Sequence, residues 1–384
     1  MAAPRRLIRG LAVAVFAVMI SGCGSDGDGW AEGQLSGPGV TPVDSIRLPD
    51  SDTLHIGRPW YPAVDPYDGS IYVPDSFSRT VYRFDRDGDL VRRYGRPGEG
   101  PGELQGTGST FVLNDSTLVV EDIQGRRLNL FDRRTGEYRR GWDEALPQGL
   151  GAGTPPVETY DGLVFATLDL AGHHPFVRWS PESGTREAFG TLPEEYHESV
   201  ELTGEAGYAV SFRIGQVLDL GDTLVRGWSG YNDLWLFDRD GQVLDTLALP
   251  SVRRRGVPDD VVERYDLEGE QITVKSETSN LHELPGGGIA FTHLDRELLS
   301  TDGPVPETAG QLWAGATSPD LQEACVDGKV PVSLDAAPSQ TFRGDTLFVL
   351  DRRITETRED PMETWIVMHK LDLDECDWIS LDSE

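Results

Sequence analysis

Short hydrophobic runs separated by polar turns recur from about residue 70 to the C-terminus, and helical periods are absent between them. The clearest copy of this pattern is Ile71 to Leu104, which reads as two short strands, an Asp-Gly turn, a third strand and a Gly/Pro-rich exit. Short apolar runs joined by turn residues of this kind predict antiparallel strands. The segment therefore predicts most of one antiparallel sheet of about four strands.

Two markers repeat once per unit and in the same order along the chain. The first is a turn followed by a short hydrophobic strand, at Asp68-Gly69, Asn114-Asp115, Asp161-Gly162, Gly221-Asp222, Gly286 to Gly288 and Gly344-Asp345. The second is a third strand with its polar turn, at Phe84-Asp85, Phe131-Asp132, Trp179-Ser180, Phe237-Asp238, Thr317-Ser318 and Leu371-Asp372. Repeats of roughly 40 to 50 residues are typical of propellers, because one such sheet cannot bury its faces alone.

The repeats predict an all-β fold, a six-bladed β-propeller of four-stranded antiparallel blades over residues 43–384. We expect the ring to close by pairing the N-terminal strand, Val43 to Leu48, with strands of the sixth blade. A β-sandwich would not need six equivalent units, and a parallel α/β fold would show helical periods between strands. Proline followed by acidic residues predicts short helices inserted between blades, at Pro193 to Gly207 and Pro258 to Glu268.

The first unit also resembles a known family. The run Val73-Pro74-Asp75-Ser76, then Arg79, Val81 to Asp85 and Asp87-Gly88, resembles one repeat of the NHL type. Gly95 to Leu104 is similar to the blade-to-blade segment of bacterial six-bladed propeller lipoproteins. The resemblance covers Ile71 to Gly136 and implies the fold and the location. Because those families share no single activity, it implies no function.

The N-terminus reads as a processing signal. Three arginines precede the apolar run Leu11 to Ile20, and Ile20-Ser21-Gly22-Cys23 resembles a bacterial lipobox. We therefore predict a signal peptide over residues 1–23, acylation of Cys23 and a flexible Gly/Ser/Asp tether over residues 24–42. An ordinary secretory signal with a chance cysteine is the alternative. The predicted location is the outer membrane or cell surface, with the periplasmic side left open.

The net charge excludes some classes of partner, and the cysteine content predicts a disulfide. The formal net charge of -31 argues against nucleic acid or anionic lipid as a partner of the propeller, because both are polyanions. With Cys23 acylated, Cys325 and Cys376 remain as an even pair in an exported protein, which favours a disulfide from the fifth blade to the end of the sixth. Two free buried thiols are the alternative.

Ligands of propellers are usually expected at the mouth of the central channel, lined by loops between second and third strands. In the first two blades these loops supply Asp75, Arg79, Asp122 and Arg126, which occupy repeat positions and are expected to brace turns or neighbouring blades. In the other blades the candidate contacts are Asp169, His173, His174, Trp228, Tyr231, Asn232, His293, Asp295, Arg296, Asp351 and Arg352.

No HExxH, paired CxxC, GxSxG or P-loop pattern occurs, so no catalytic residue is predicted. Gly98 to Glu103 is rich in glycine, but its prolines and glutamates favour a structural loop over a phosphate cradle. No cofactor is certain; calcium is the candidate, because it needs only oxygen ligands. The favoured hypothesis is a lipid-anchored module that binds a small ligand or an envelope protein. The alternatives are a calcium-dependent, lactonase-like hydrolase or lyase acting in the channel, and a structural component of an envelope assembly.

Overall fold

The computed structural model describes residues 36–49, 54–143, 157–159, 162–169, 174–180, 183–193, 216–227, 233–250, 276–300, 307–332, 339–353 and 363–381. Strands and turns make up these ranges, and none of their residues is helical. A helix long and apolar enough to cross a membrane is likewise absent from the described ranges. The predicted inserted helices lie outside them, apart from Pro193.

The chain forms six antiparallel sheets, one per predicted blade. Its first strand, β1 (Gly39–Arg47), belongs to the last blade. Blade 1 contains β2 (Ala63–Val64), β3 (Ile71–Asp75), β4 (Thr80–Phe84) and β5 (Leu90–Tyr94). Blade 2 contains β6 (Thr107–Asn114), β7 (Thr117–Asp122), β8 (Arg127–Asp132) and β9 (Tyr138–Asp143). Blade 3 contains β10 (Val157–Thr159), β11 (Gly162–Asp169), β12 (His174–Trp179) and β13 (Arg186–Phe189).

The second half of the ring repeats this order. Blade 4 contains β14 (Val217–Asp219), β15 (Leu224–Gly227), β16 (Asp233–Phe237) and β17 (Val243–Ala248). Blade 5 contains β18 (Ser276–Glu283), β19 (Ile289–Ser300), β20 (Glu307–Thr317) and β21 (Glu323–Lys329). Blade 6 contains β22 (Ser339–Arg343), β23 (Thr346–Arg353), β24 (Glu363–Asp372) and the returning β1. The six-bladed all-β propeller predicted from the repeats is therefore confirmed.

The two ends of the chain close the ring. Strand β1 pairs antiparallel with β24 and becomes the outer strand of blade 6, as predicted, although it begins at Gly39 rather than Val43. A last short strand, β25 (Ile379–Ser380), adds a fifth strand to blade 5 beside β21. The predicted disulfide between Cys325 and Cys376 is present and joins β21 to the segment before β25.

The polar residue of the second marker closes the turn between third and fourth strands. Asp85 Oδ1 accepts the backbone N–H groups of Asp87 and Asp89 at 3.0 and 2.9 Å. In the other blades the equivalent side-chain oxygen accepts backbone N–H groups of the following turn in the same way; these acceptors are Asp132, Ser180, Asp238, Ser318 and Asp372. Such a side chain takes the place of a backbone turn acceptor, which explains why Asp and Ser recur there.

Glycine in these turns allows neighbouring blades to approach. Gly88 has a φ of +89°, and a Cβ there would lie 2.5 Å from Ile46 Cγ2 of β1. Gly241 has a φ of +76°, and a Cβ there would lie 2.4 Å from the Cα of Gly190 at the end of blade 3. A residue without a Cβ is needed for both the positive φ and the close contact.

The hydrophobic core lies between the blades. Every residue of β3 and β7 is buried, and their side chains alternate between the two neighbouring blades. Tyr72, Val81 and Leu118 pack between blades 1 and 2, while Leu347 and Val349 pack between blades 5 and 6. The second strands β3 and β7 are therefore covered on both faces, which accounts for the apolar runs in their sequences.

Candidate functional site

The described wall of a central cavity is formed by the first strands of blades 1, 2, 5 and 6 and by Gln216, just before the first strand of blade 4. Adjacent first strands contact one another, β2 with β6 and β22, β14 with β10 and β18, and β18 with β22. The cavity between them has a volume of about 300 Å³. Its described lining consists of Tyr61, Pro62, Ala63, Val64, Pro66, Ser109, Thr110, Phe111, Val112, Gln216, Asn280, His282, Gln340, Thr341, Phe342 and Arg343.

Side-chain amides in this wall bridge neighbouring blades. Gln216, just before β14, accepts the backbone N–H of Leu281 in blade 5 at 2.9 Å through Oε1. Asn280 Nδ2 donates to the carbonyl oxygen of Gln340 in blade 6 at 2.8 Å, and Gln340 Nε2 donates to Thr292 Oγ1 at 3.0 Å. Gln216 Oε1 and Asn280 Nδ2 are therefore used in bonds between blades, and the other polar atom of each amide stays available to the cavity.

His282 is held in a neutral form at the same wall. Its Nε2 accepts the backbone N–H of Gly344 at 3.0 Å, which requires an unprotonated nitrogen there and places the proton on Nδ1. Burial also lowers the pKa of the imidazole. The ring stacks on Phe342 with centroids 5.9 Å apart and planes 12° apart. This histidine is therefore a neutral hydrogen-bond donor.

A carboxylic acid lies behind the wall in blade 2. Glu121 Oε2 accepts both the backbone N–H and the hydroxyl of Ser109, at 2.9 and 2.7 Å. Glu121 is buried, and burial raises the pKa of its carboxyl group. Since the Ser109 hydroxyl donates to Glu121, its lone pairs remain as an acceptor at the cavity surface.

The aspartates at the repeat positions of blades 1 and 2 brace loops, as predicted. Asp75 Oδ1 accepts the backbone N–H of Arg58 and Oδ2 accepts that of Ser78. Asp122 Oδ1 accepts the N–H groups of Gln105, Gly106 and Gly125, and Oδ2 pairs with Arg127 Nε at 3.1 Å. Arg79 and Arg126 occupy the same turn position, with φ values of +53° and +52°, and their side chains are exposed.

The segment from Gly98 to Glu103 is a closed structural loop. Glu103 Oε2 accepts the Gly100 N–H at 2.9 Å, and Oε1 accepts Arg96 Nε at 3.0 Å. Leu104, which follows, is fully buried and donates its N–H to the Arg96 carbonyl at 2.7 Å. The Gly100 N–H that a bound phosphate could use is therefore taken by the chain's own carboxylate.

The candidates of blades 5 and 6 lie within strands, whereas the sequence predicted them in loops. His293, Asp295 and Arg296 belong to β19, and Asp351 and Arg352 belong to β23. The second strands of these two blades are longer than the repeat of blade 1 indicated, since β19 extends to Ser300 and β23 to Arg353. Register confirms the placement, since Asp295 pairs with Gln311 and Asp351 with Trp365.

Burial distinguishes these candidates further. His293 is fully buried, with Nε2 3.5 Å from Asp327 Oδ1 and its ring stacked on Trp313 at 6.5 Å. Asp351 is buried and accepts Arg353 Nε at 2.8 Å, while burial lowers the pKa of the half-buried Arg352 and Asp75 partly opposes that shift. None of the three lines the central cavity. A role in ligand binding stays a prediction for them.

The remaining candidates belong to blades 3 and 4. His174 begins β12 and its Nδ1–H donates to the Gly190 carbonyl at 2.8 Å. Asp169 ends β11 and pairs with His174 in the backbone register. The side chains of Asp169 and Arg296 lie outside the described part of the chain, as do His173, Trp228, Tyr231, Asn232 and the predicted lipidation site Cys23.

A metal centre has no visible ligand set in the described ranges. Within them, no three His, Cys, Asp or Glu side chains lie close enough together to hold one ion. Calcium requires six or more oxygen ligands, several of them from carboxylates. The calcium-dependent alternative therefore stays a prediction that the described residues do not support.

Sequence reasoning missed the amides of the cavity wall. A signal for them exists: the first strands SETSNLHE and SQTFR are polar, whereas the second strand IYVPD is largely apolar and TLFVLDRR contains the apolar run LFVL. A strand bordering a water-accessible channel tolerates polar side chains, because their hydrogen bonds can be completed there. In blades 5 and 6 the polar first strands therefore indicate the channel wall once the blades have been counted.

Comparison with known proteins shows the fold alone. No protein-family model and no curated protein sequence matches the chain. Among solved structures, a member of the DUF4221 family from Bacteroides vulgatus is similar with a TM-score of 0.62 and 10% identity, over 88% of this chain and 99% of its own. A Bacteroides fragilis protein described as exported is similar with a TM-score of 0.54 and 12% identity, over 85% and 94% respectively.

Proposed function

We propose that this protein is an exported, lipid-anchored propeller that binds a small ligand in its central cavity. The observation that carries the proposal is the wall itself, where Gln216 and Asn280 each use one end of an amide to join blades. Their other ends lie at a cavity of about 300 Å³. Small-molecule sites are typically concave, largely apolar and equipped with a few converging polar groups, as this wall is.

The location rests on the N-terminal sequence. An apolar run followed by Ile20-Ser21-Gly22-Cys23 supports export and acylation at Cys23. Expression of the full chain with its own N-terminus, followed by mass spectrometry of the mature protein, tests this directly. We expect a diacylated or triacylated Cys23 and recovery in the membrane fraction. A Cys23→Ala variant that still pelleted with membranes would contradict the anchor.

Ligand binding is tested on the full chain purified from membranes in detergent. Native mass spectra before and after denaturation reveal a molecule that travels with the protein. Thr341→Trp places an indole in the cavity, since Thr341 is a half-buried lining residue. Thr246→Trp is the matched control, because Thr246 is exposed on the outer strand β17. The bound molecule should disappear in the first variant and persist in the second; equal occupancy in both would overturn cavity binding.

A further inference from the structure

Polar atoms of the cavity wall that make no hydrogen bond within the described fold indicate the chemistry of the ligand. Asn280 and Gln216 are 6% and 8% exposed, so nine-tenths of each residue is buried. Asn280 Nδ2 and Gln216 Oε1 are used by blades 6 and 5 respectively. Among the described residues, none bonds to Asn280 Oδ1 or Gln216 Nε2. The wall therefore offers one fixed carbonyl acceptor and one fixed NH₂ donor.

Two further groups extend this pattern without adding charge. The neutral ring of His282 keeps Nδ1–H as a donor, because Nε2 accepts the Gly344 N–H. The Ser109 hydroxyl keeps acceptor lone pairs, because it donates to Glu121. A ligand that complements these groups must both donate and accept hydrogen bonds at several points, which is the property of a set of hydroxyl groups.

The rest of the described lining consists of aromatic and apolar residues, three uncharged polar residues and one charged residue; the polar ones are Thr110, Gln340 and Thr341. Tyr61, Phe111 and Phe342 contribute rings. Arg343 is the one charged residue in the described part of the lining; its guanidinium donates to the Pro66 carbonyl at 3.3 Å. No carboxylate belongs to that part, so its oxygen atoms are all uncharged and it lacks the carboxylate ligands that usually hold calcium. Arg343 is the one described lining group that would favour an anion, and the charged probes below test that alternative.

We infer that the cavity takes an uncharged, polyhydroxylated ring, a neutral monosaccharide unit or a cyclic polyol. This inference rests on the proposed ligand-binding function and specifies its ligand. At roughly 30 Å³ per water, a cavity of about 300 Å³ holds roughly ten water molecules, which suits one sugar ring. The C–H faces of such a ring pack on aromatic side chains while its hydroxyls meet the amides and the imidazole.

The test is calorimetric titration of the full chain with neutral sugars and with charged analogues of the same size. Methyl glucoside, methyl galactoside, methyl mannoside and inositol are the neutral probes; glucuronate and glucosamine are the charged ones. We expect at least one neutral probe to bind more tightly than either charged probe. Gln216→Met and Asn280→Leu should each weaken that binding about tenfold, the effect of one lost hydrogen bond of about 1.4 kcal/mol.

Gln242→Met is the matched control, because Gln242 is an exposed glutamine in a turn of blade 4, and it should leave the affinity unchanged. Tighter binding of glucuronate, lost in Arg343→Gln but retained in the amide variants, would show an anion site and overturn the inference. Failure of every neutral probe, while a co-purifying molecule still depends on Thr341, would overturn the sugar assignment and leave cavity binding intact. Should one amide variant misfold by circular dichroism, the other and Thr341→Trp provide the same readout.

Discussion

The first two blades and the last two share one repeat, yet polar groups join them in different ways. Between blades 1 and 2, the buried Arg133 pairs with Asp65 and Asp68 of blade 1 and with Asp115 of blade 2. Between blades 5 and 6, the Asn280 amide bonds to the Gln340 carbonyl and the Gln340 amide to a threonine hydroxyl. One junction is therefore ionic and the other is neutral.

The two kinds of junction differ in how many polar atoms they leave unbonded. Buried charges must be fully paired with partners in the fold, so they have little left to offer a ligand. A buried amide has two ends, and one end is enough to join two blades. In this ring the neutral junctions border the cavity, so apart from Arg343 the polar chemistry of its described wall is the uncharged remainder of structural hydrogen bonds.

Breaking the ionic junction should have the largest effect on stability. Arg133→Ala leaves the fully buried Asp65 without its cation, and we expect the free energy of unfolding to fall by roughly 3–5 kcal/mol. Urea denaturation followed by circular dichroism measures the change. Arg134→Ala is the control: Arg134 also pairs with Asp115, but its side chain is 65% exposed, so the loss should stay below about 1 kcal/mol. Equal losses would mean that the junction is not held by the buried pair.

Removing the disulfide between Cys325 and Cys376 should lower the free energy of unfolding by an amount whose upper limit is comparable to the loss from Arg133→Ala. The disulfide spans 51 residues, and on the chain-entropy model such a loop stabilises the fold by up to about 4 kcal/mol. The double variant Cys325→Ala/Cys376→Ala should lose this amount in urea denaturation. A reducing agent should destabilise the natural chain and leave the double variant unaffected. If the reducing agent lowered the stability of both proteins equally, its effect could not be due to the disulfide between Cys325 and Cys376.

Acid should act on the last blade through His369. This fully buried imidazole has its pKa lowered by burial from 6.5 to about 4, with Asp351 opposing the shift. The unfolded chain therefore takes up the proton first, so stability is complete above pH 6.5 and falls by about 3 kcal/mol as the pH drops to 4. His369→Gln should lose this part of the pH dependence, whereas the exposed His55→Gln should keep it. If the free energy of unfolding depended on pH identically in all three proteins, protonation of His369 would not be the cause of the acid destabilisation.

Removing one neutral amide should have the smallest effect. Asn280→Ala deletes the hydrogen bond to the Gln340 carbonyl, and we expect a loss of about 1 kcal/mol in the absence of ligand. Thermal unfolding of the ligand-free variant measures it. A small loss of stability would mean that the Asn280 amide can be removed while the cavity wall stays folded. A loss as large as that of Arg133→Ala would erase the proposed difference between the two junctions.

Much of the fold followed from local sequence. All six predicted turns precede a second strand, and all six polar markers follow a third strand, because each acts through hydrogen bonds within a few residues of itself. Ring closure and the disulfide were also predicted, since an even cysteine pair and one spare N-terminal strand left few alternatives. Hairpin length was not predictable in this way, which is why the repeat pattern predicted loops at His293 and Asp351 although both lie in strands.

The sequence alone determined the number of blades, the chemistry of their turns and the bracing roles of Asp75 and Asp122, because these depend on spacing and local hydrogen bonding. Only the tertiary structure decided which polar side chains meet. Gln216 lies just before β14, Asn280 and His282 lie in β18, and Ser109 lies in β6, so these residues are far apart in sequence, and ring closure brings them to one cavity. The bonds each makes across a blade junction then decide which of its atoms a ligand can reach.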